Sequence, residues 1–365
     1  MHSRHSILAG AVALALTGSA GASDSGDMFT LRGFGTAGIV YSNEADADYV
    51  HNPTAQTEGV GRTHSVSADT DSRTAVQLDA KFTDRFSAVI QLVSEPVYNN
   101  SWDDEPQKLW EPSLQWANVS YRVTNDLTVR GGRIVFPFLM SAEFQGVGYA
   151  NHWMRTPVEI YGRLPFSSVD GGDITYKHSL GRARNTIRAY YGTQDRRAPA
   201  PLASGDASVF GVIDTVEMGA LTLRGSYATG EIDRNGVISK PELFALGATY
   251  DVNQWFVMSE VVTAKSSNTP TFTAGYVSGG VRIDKWTPFA TVATSRQDSM
   301  NLVSRDQSTA SIGVRWDARA NMALKAQYDY LALPSDSVGS LINRTSDFKP
   351  GTDVSLFGLS VDFVF

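Results

Sequence analysis

Downstream of Ser23, apolar and polar residues alternate with a period of two, in short runs separated by turn residues. That spacing belongs to a β-strand, whose successive side chains point to opposite faces, and not to the 3.6-residue repeat of a helix. Phe29, Leu31, Gly33, Gly35, Ala37, Ile39 and Tyr41 share one face, with Thr30, Arg32, Phe34 and Thr36 between them. Val76, Leu78, Ala80 and Phe82 alternate with Gln77, Asp79 and Lys81, and Phe86, Ala88, Ile90 and Leu92 with Ser87, Val89 and Gln91. The pattern recurs at 117–123, 221–227, 310–316 and 322–330. It is weakest near 209–216 and 286–294.

The connections keep a regular beat. Short ones fall at 83–85, 124–126, 178–184, 217–220, 251–254, 284–285 and 317–321. Longer polar ones fall near 42–72, 95–113, 134–168, 194–208, 230–241, 265–271, 295–308 and 332–352. The two kinds alternate, and both ends of the chain lie on the short side, so the strand number is even and comes to 16. Strand boundaries read from sequence are uncertain by about 2–4 residues, which leaves 14 and 18 as alternatives. Alternation alone does not say which face points inward. So many strands exceed a small soluble barrel with an apolar interior, so the apolar, aromatic-rich faces are read as turned to lipid. Arg, Lys, Asp, Gln, Ser and Thr then face the interior. The fold class expected is all-β: a transmembrane antiparallel up-and-down barrel, one domain over 23–365.

The first 22 residues have a different character. Arg4 and two histidines precede an apolar run from Ile7 to Leu16, and small residues lead to Ala20-Gly21-Ala22. This reads as a cleaved signal peptide, too short for a membrane anchor. No second apolar run reaches spanning length. The absence of cysteine excludes disulfides, thiolate metal sites and a cysteine nucleophile. A net charge of −7 argues against nucleic acid as a partner. Strand one starting near Phe29 leaves no room for a plug domain ahead of it.

At the C-terminus, Phe357, Leu359, Val361, Phe363 and Phe365 alternate to the last residue. This strand resembles the insertion signal of Gram-negative outer-membrane barrels, and with the loop alternation the chain resembles the general porins. In that family the loop after the fifth strand folds into the lumen. Here that connection is 134–168, with Pro137, Pro157, Pro165, Phe136, Phe138, Phe144, Tyr149, Trp153 and Tyr161, an apolar content suited to a loop packed inside a barrel. The fifth strand, with Arg130, Gly131, Gly132 and Arg133, is similar to a porin strand whose arginine lines the constriction. Arg130 faces the lumen by phase. Arg133 does so only if a bulge at the glycine pair resets the phase. Asp71-Ser-Arg-Thr-Ala-Val-Gln-Leu-Asp79 looks like a porin second strand, which places Arg73 toward the lumen.

The expected lumen wall is therefore basic: Arg32, Arg73, Lys81, Arg130, Arg133, Arg188, Arg224, Arg282 and Arg315. They outnumber inward Asp79, Glu260, Asp329 and Asp362, which suggests an anion-leaning interior. The resemblance maps the facing acidic role onto Glu143 and Glu159, with Asp170 just beyond the loop. It implies a homotrimer in outer-membrane lipid and lipopolysaccharide, passing small hydrophilic solutes passively and without a cofactor. The long acidic motif of many enterobacterial porins is missing from the loop, whose aromatics suggest stacking of Trp153 and Tyr161 on sugars or aromatic acids. Acidic clusters at Asp46, Asp48, Asp69 and Asp71 and at Asp103, Asp104 and Glu105 read as solvated surface charge or divalent-cation sites. Two alternatives stand beside the channel: a structural or adhesive barrel without an open pore, and a barrel hydrolase. The hydrolase lacks support, because His51, His64, His152 and His178 fit no familiar spacing and no G-x-S-x-G or H-E-x-x-H occurs.

Overall fold

The computed structural model describes residues 28–365 apart from 52–55, 57, 100–106, 111, 165–166, 197–204, 235, 267–268 and 299–302. The expected signal peptide (1–22), Pro165 and the acidic run Asp103-Asp104-Glu105 lie outside the described residues.

The barrel strands are β1 (Phe29–Ser42), β2 (Arg73–Lys81), β3 (Phe86–Ser94), β4 (Pro112–Arg122), β5 (Leu127–Val135), β6 (Ser168–Leu180), β7 (Ala183–Arg196) and β8 (Gly205–Met218). They continue with β9 (Leu221–Arg234), β10 (Glu242–Asp251), β11 (Trp255–Lys265), β12 (Phe272–Val281), β13 (Trp286–Gln297), β14 (Gln307–Arg319), β15 (Met322–Ala332) and β16 (Val354–Val364). Each pairs antiparallel with the next, and β16 returns to β1 in register from Phe34↔Val364 to Ser42↔Leu356. The sheet is thus a closed 16-stranded barrel without free edges, with short turns at one rim and long loops at the other, as the alternation of connections required.

The weakly patterned stretches at 209–216 and 286–294 form β8 and β13 at full length. Their inner faces carry Val209, Ile213, Phe289 and Ala293, buried beneath the interior loop, so both faces are apolar there and the contrast between them is lost. Elsewhere alternation holds. Leu31, Ile90, Leu246, Val277, Val292 and Ile312 stand exposed on the outer wall. Aromatic rings gather near the short-turn rim: Phe82 stacks on Phe86 at 5.3 Å, Tyr250 lies 5.3 Å from Trp255, and Trp286 stacks on Trp316 at 5.4 Å. Tyr41, Tyr191, Tyr328 and Tyr330 are exposed toward the other rim. Two aromatic girdles around an apolar belt are the outer surface of a bilayer-spanning barrel.

The seam between β1 and β16 is closed by more than backbone bonds. The Gly33 N–H donates to the Phe365 carbonyl and the Phe365 N–H to the Gly33 carbonyl, each at 2.9 Å. The rings of Phe365 and Phe363 occupy the space that side chains at Gly33 and Gly35 would need. Gly33→Val is therefore expected to lower barrel stability by about 1–3 kcal/mol through overpacking at the seam. Gly131→Val, on the same outer face with open space around it, is the control. The measurement is the temperature at which the folded band is lost on denaturing gels; only the Gly33 variant should shift downward.

Candidate functional site

A barrel of this size encloses more space than its own strands' side chains fill. The segment 136–167, between β5 and β6, turns inward and supplies the missing core. Phe136 stacks on Phe138 at 5.8 Å and meets Tyr190 of β7 edge-on at 5.8 Å. With Ile134, Leu139, Trp153, Ile160 and Tyr161 they form the largest buried apolar cluster, against inward residues of β7–β13. Further along the loop, Val147 packs on Phe34, Ala75 and Val93 of β1–β3. The loop spans the depth of the barrel, because the Tyr149 hydroxyl donates to the Ala320 carbonyl (2.6 Å) in the short turn after β14. The inward fold expected of this loop is thus present.

An inward loop leaves backbone groups far from bulk water, and inward polar side chains satisfy them. The Met140 N–H donates to Glu260 of β11 at 2.8 Å, and the Tyr161 hydroxyl donates to the same carboxylate at 2.9 Å. Lys325 of β15 donates to the Gly148 and Trp153 carbonyls at 2.7 Å each, while Asp362 of β16 neutralises it at 2.9 Å. Arg315 of β14 donates to the Tyr149 and Asn151 carbonyls at 2.5 and 2.9 Å and pairs with Asp317 at 2.7 Å. Arg224 of β9 donates to the Pro137 carbonyl.

The tightest anchor is Arg155. Its guanidinium lies between Asp71, on the connection before β2, and Asp329 of β15, each at 2.6 Å; the three side chains are 2%, 3% and 5% exposed. Burial alone would favour a neutral Arg155, but the two carboxylates outweigh it and raise its pKa. Glu159 is the opposite case. It is buried, and one of its oxygens accepts from Gln307 (2.7 Å) and Thr309 of β14 while the other has no partner among the described residues. Burial, only partly opposed by those hydrogen bonds, raises its pKa.

One charge cluster lies beside the loop tip. Asp173 of β6 pairs with Arg130 of β5 at 2.8 Å and with Arg188 of β7 at 2.9 Å. Glu143 of the loop reaches Arg188 at 2.7 Å and Arg130 at 3.8 Å. Arg73 stands on the other flank of the tip, beside Gly146, with no hydrogen bond or ion pair among the described residues. Along the adjoining wall Ser120, Arg122, Thr128, Thr175 and Lys177 remain solvent-accessible. The loop tip thus presents Glu143 and an exposed Phe144, with Arg130 and Arg188 on one flank and Arg73 on the other. Such opposed charges create a transverse field in a narrow passage.

The structure thus brings Arg130, Glu143 and Arg188 together, places Arg73 apart on the other flank of the loop tip, and sends the other expected residues elsewhere. Arg133 is on the outer wall. β5 keeps unbroken register against both neighbours, and Ile134 is buried in the inner core, so Arg133 points the other way. The bulge expected at Gly131-Gly132 is absent, and the β3–β4 register shifts instead between Gln91 and Leu92. Arg133 meets the cost of its position with a two-pronged pair to Asp170 at 2.7 and 2.6 Å, which places Asp170 outside as well. Lys81 pairs with Asp84 at 2.9 Å on the short-turn side. Arg282 pairs with Asp251 at 2.7 Å on that rim, over the Phe256 ring at 5.0 Å. Arg224, Arg315 and Glu159 are loop anchors. Trp153 is buried and donates to Thr291 (2.9 Å) and Ser278 (3.1 Å), and Tyr161 is buried on Glu260, so neither presents a face on which a solute can stack.

Asp48, expected to be solvated, is fully buried and accepts from the Thr63 N–H and Asn343, each at 2.8 Å. Among the described residues no group of carboxylates and histidines is arranged to hold a metal ion. Two central residues escaped sequence reading, Arg155 and Asp173. The available signal for the first was an arginine within an aromatic loop, one of two there with Arg163. Asp173 shares the inward phase of β6, but nothing in the sequence pairs it with Arg130 and Arg188.

An apolar belt with two girdles, a closed sheet and an interior loop bearing one lumen-facing charge cluster define the class: a transmembrane β-barrel of the outer-membrane type with the porin fold. Comparison with solved structures agrees. The chain superposes on an anion-selective porin from Comamonas acidovorans (TM-score 0.61, 13% identity, 92% of this chain and 99% of that one). It does so equally on Salmonella typhi OmpF in complex with daunomycin (TM-score 0.61, 13% identity, 92% and 97%). In-vitro folded OmpT of Vibrio cholerae in its trimer form also matches (TM-score 0.56, 14% identity, 93% and 100%). At such identities the likeness is one of fold. No protein-family model and no curated protein matches the sequence.

Two predictions concern the anchors. Arg155→Met leaves Asp71 and Asp329 facing each other unneutralised and is expected to cost about 3–5 kcal/mol, read as a lower urea midpoint of the refolded barrel. Glu159 has a folded-state pKa above its unfolded one. It therefore stabilises the loop while protonated, at pH below the ordinary glutamate range, and that contribution is lost as pH rises through the raised value. Glu159→Gln should accordingly raise the thermal midpoint at pH 7 relative to the parent and change it little at pH 4. A uniform drop across both pH values would contradict that account.

Proposed function

We propose that the chain is a porin: a passive, cofactor-free, water-filled channel for small hydrophilic solutes, leaning toward anions. The observation that carries this is the lumen-facing cluster of Arg130, Arg188 and Glu143 beside an accessible inner wall of β4–β6. The anion preference rests on a smaller set of residues than the count of arginines suggests. Arg130 and Arg188 are balanced by Asp173 and Glu143, Arg315 by Asp317 and Arg282 by Asp251. Arg73, Arg122 and Lys177 have no carboxylate at ion-pair distance among the described residues, and they supply the surplus positive charge. The Comamonas neighbour's anion selectivity and the trimer form of the Vibrio one support the same reading and a homotrimer embedded in outer-membrane lipid and lipopolysaccharide.

The second reading is a structural barrel held shut, favoured by the breadth of the loop's contacts with the inner wall. The hydrolase alternative needs a nucleophile beside a base within reach of a substrate. His152 lies 2.8 Å from the Ser278 hydroxyl, but Ser278 is fully buried and His152 is packed against Trp153 and Phe256, so no substrate reaches the pair.

The test is current through the purified, refolded protein in a planar bilayer under a KCl gradient. Steps closing in threes with a chloride-leaning reversal potential are expected, and Arg73→Glu should lower the anion-to-cation permeability ratio severalfold. No current from a demonstrably folded barrel would select the closed reading.

A further inference from the structure

The four charges beside the loop tip are not equivalent. Asp173 is 1% exposed and holds both guanidiniums, through Arg130 Nε (2.9 Å) and Nη2 (2.8 Å) and Arg188 Nη2 (2.9 Å). It sits directly across from Arg130 in the β5–β6 register, while Arg188 lies opposite Thr175 on the next strand. A buried carboxylate thus fixes the two arginines on rigid strands and leaves Arg188 Nη1 to meet Glu143. The acid on that side is of another kind. Glu143 is 50% exposed, belongs to the loop and not to a strand, and engages the arginines through Oε1 alone. Arg188 keeps a buried Nε–H without a partner. Burial opposes the charge on Glu143, but Arg188 and Arg130 outweigh it and hold the carboxyl below the ordinary glutamate range, so Glu143 is ionised at neutral pH.

We propose that the Arg130–Arg188 fork is a binding site for permeant anions bearing a carboxylate, and that Glu143 is a tethered competitor occupying it between passages. The inference rests on the channel reading. With Glu143 seated, two arginines face two carboxylates and the cluster is neutral. With Glu143 displaced, the fork carries one net positive charge and attracts a solute carboxylate. The return of Glu143 restores neutrality and releases the solute. A channel needs such a site, strong enough to admit an ion and weak enough to let it leave. An ion pair whose carboxylate is half exposed is held less tightly than the enclosed Asp173 pairs, so a solute can displace it. Its tether nevertheless keeps the effective concentration of Glu143 at the fork high.

The test is single-channel conductance in potassium acetate over a wide concentration range, acetate being the Glu143 side-chain headgroup as a free ion. Removing the competitor in Glu143→Gln is expected to lower the half-saturating acetate concentration by up to about 5-fold, the range of an exposed ion pair. The control is Asp79→Asn, which removes one lumen charge beside Arg32 (3.7 Å) without touching the fork. It should leave half-saturation unchanged, and Arg188→Gln should abolish saturation. An unchanged half-saturation in Glu143→Gln overturns the proposal. So does an equal shift in Asp79→Asn, which would mean a general field and not a site. Loss of all current in the parent protein overturns the channel reading beneath it.

Discussion

Every backbone N–H and C=O that crosses a bilayer must find its partner inside the protein, and for strands the only complete solution is a sheet closed on itself. The β1–β16 pairing provides that closure, and the rest of the structure follows from it. Closure at this strand number sets a lumen wider than inward side chains can fill. The loop after β5 fills part of that space, and its apolar content is the material of a core displaced from between layers to the inside of a tube.

Putting a loop there creates a second problem of hydrogen bonding. Its carbonyls and N–H groups are met by Arg224, Glu260, Arg315, Lys325 and Gln327 on the wall, most of them charged. Charges this enclosed stabilise only when paired and fully hydrogen-bonded. Lys325 is answered by Asp362 and Arg155 by Asp71 and Asp329. Asp71 also ties the first long connection to the interior loop, so the two loops share one ionic anchor. Much of what looks like a selectivity lining in a list of inward charges is therefore scaffolding.

For the proposed channel, what remains is the smaller set that is solvent-accessible. Its logic is a contrast in solvation. Asp173 is enclosed and pairs with both Arg130 and Arg188, whereas the half-exposed Glu143 reaches Arg188 at 2.7 Å and Arg130 only at 3.8 Å. Arg73, Arg122 and Lys177 add positive charge with no carboxylate at ion-pair distance among the described residues.

The sequence by itself determined most strands and their alternation, because a period-two pattern over a pleated strand sorts residues onto two faces, and the number of strands then turned the apolar faces to lipid; only 209–216 and 286–294 were weakly marked. The strict alternation of short and long connections made the strand number even, counted as 16 with 14 and 18 left open, and put the termini on a common side. The aromatic, proline-containing segment after β5 announced a loop that had to be buried. Tertiary structure alone decided which charges meet. Arg133 and Arg130 differ by three positions on one strand, and an unbroken register, not a bulge, sends one out to Asp170 and the other in to Asp173. Arg155 finds partners 84 and 174 residues away. Trp153 and Tyr161, legible as aromatics, became core because the wall opposite supplied Thr291, Ser278 and Glu260. Phase is local and can be read along one strand, whereas charge pairing depends on barrel closure and on the path of one loop, which no local pattern encodes.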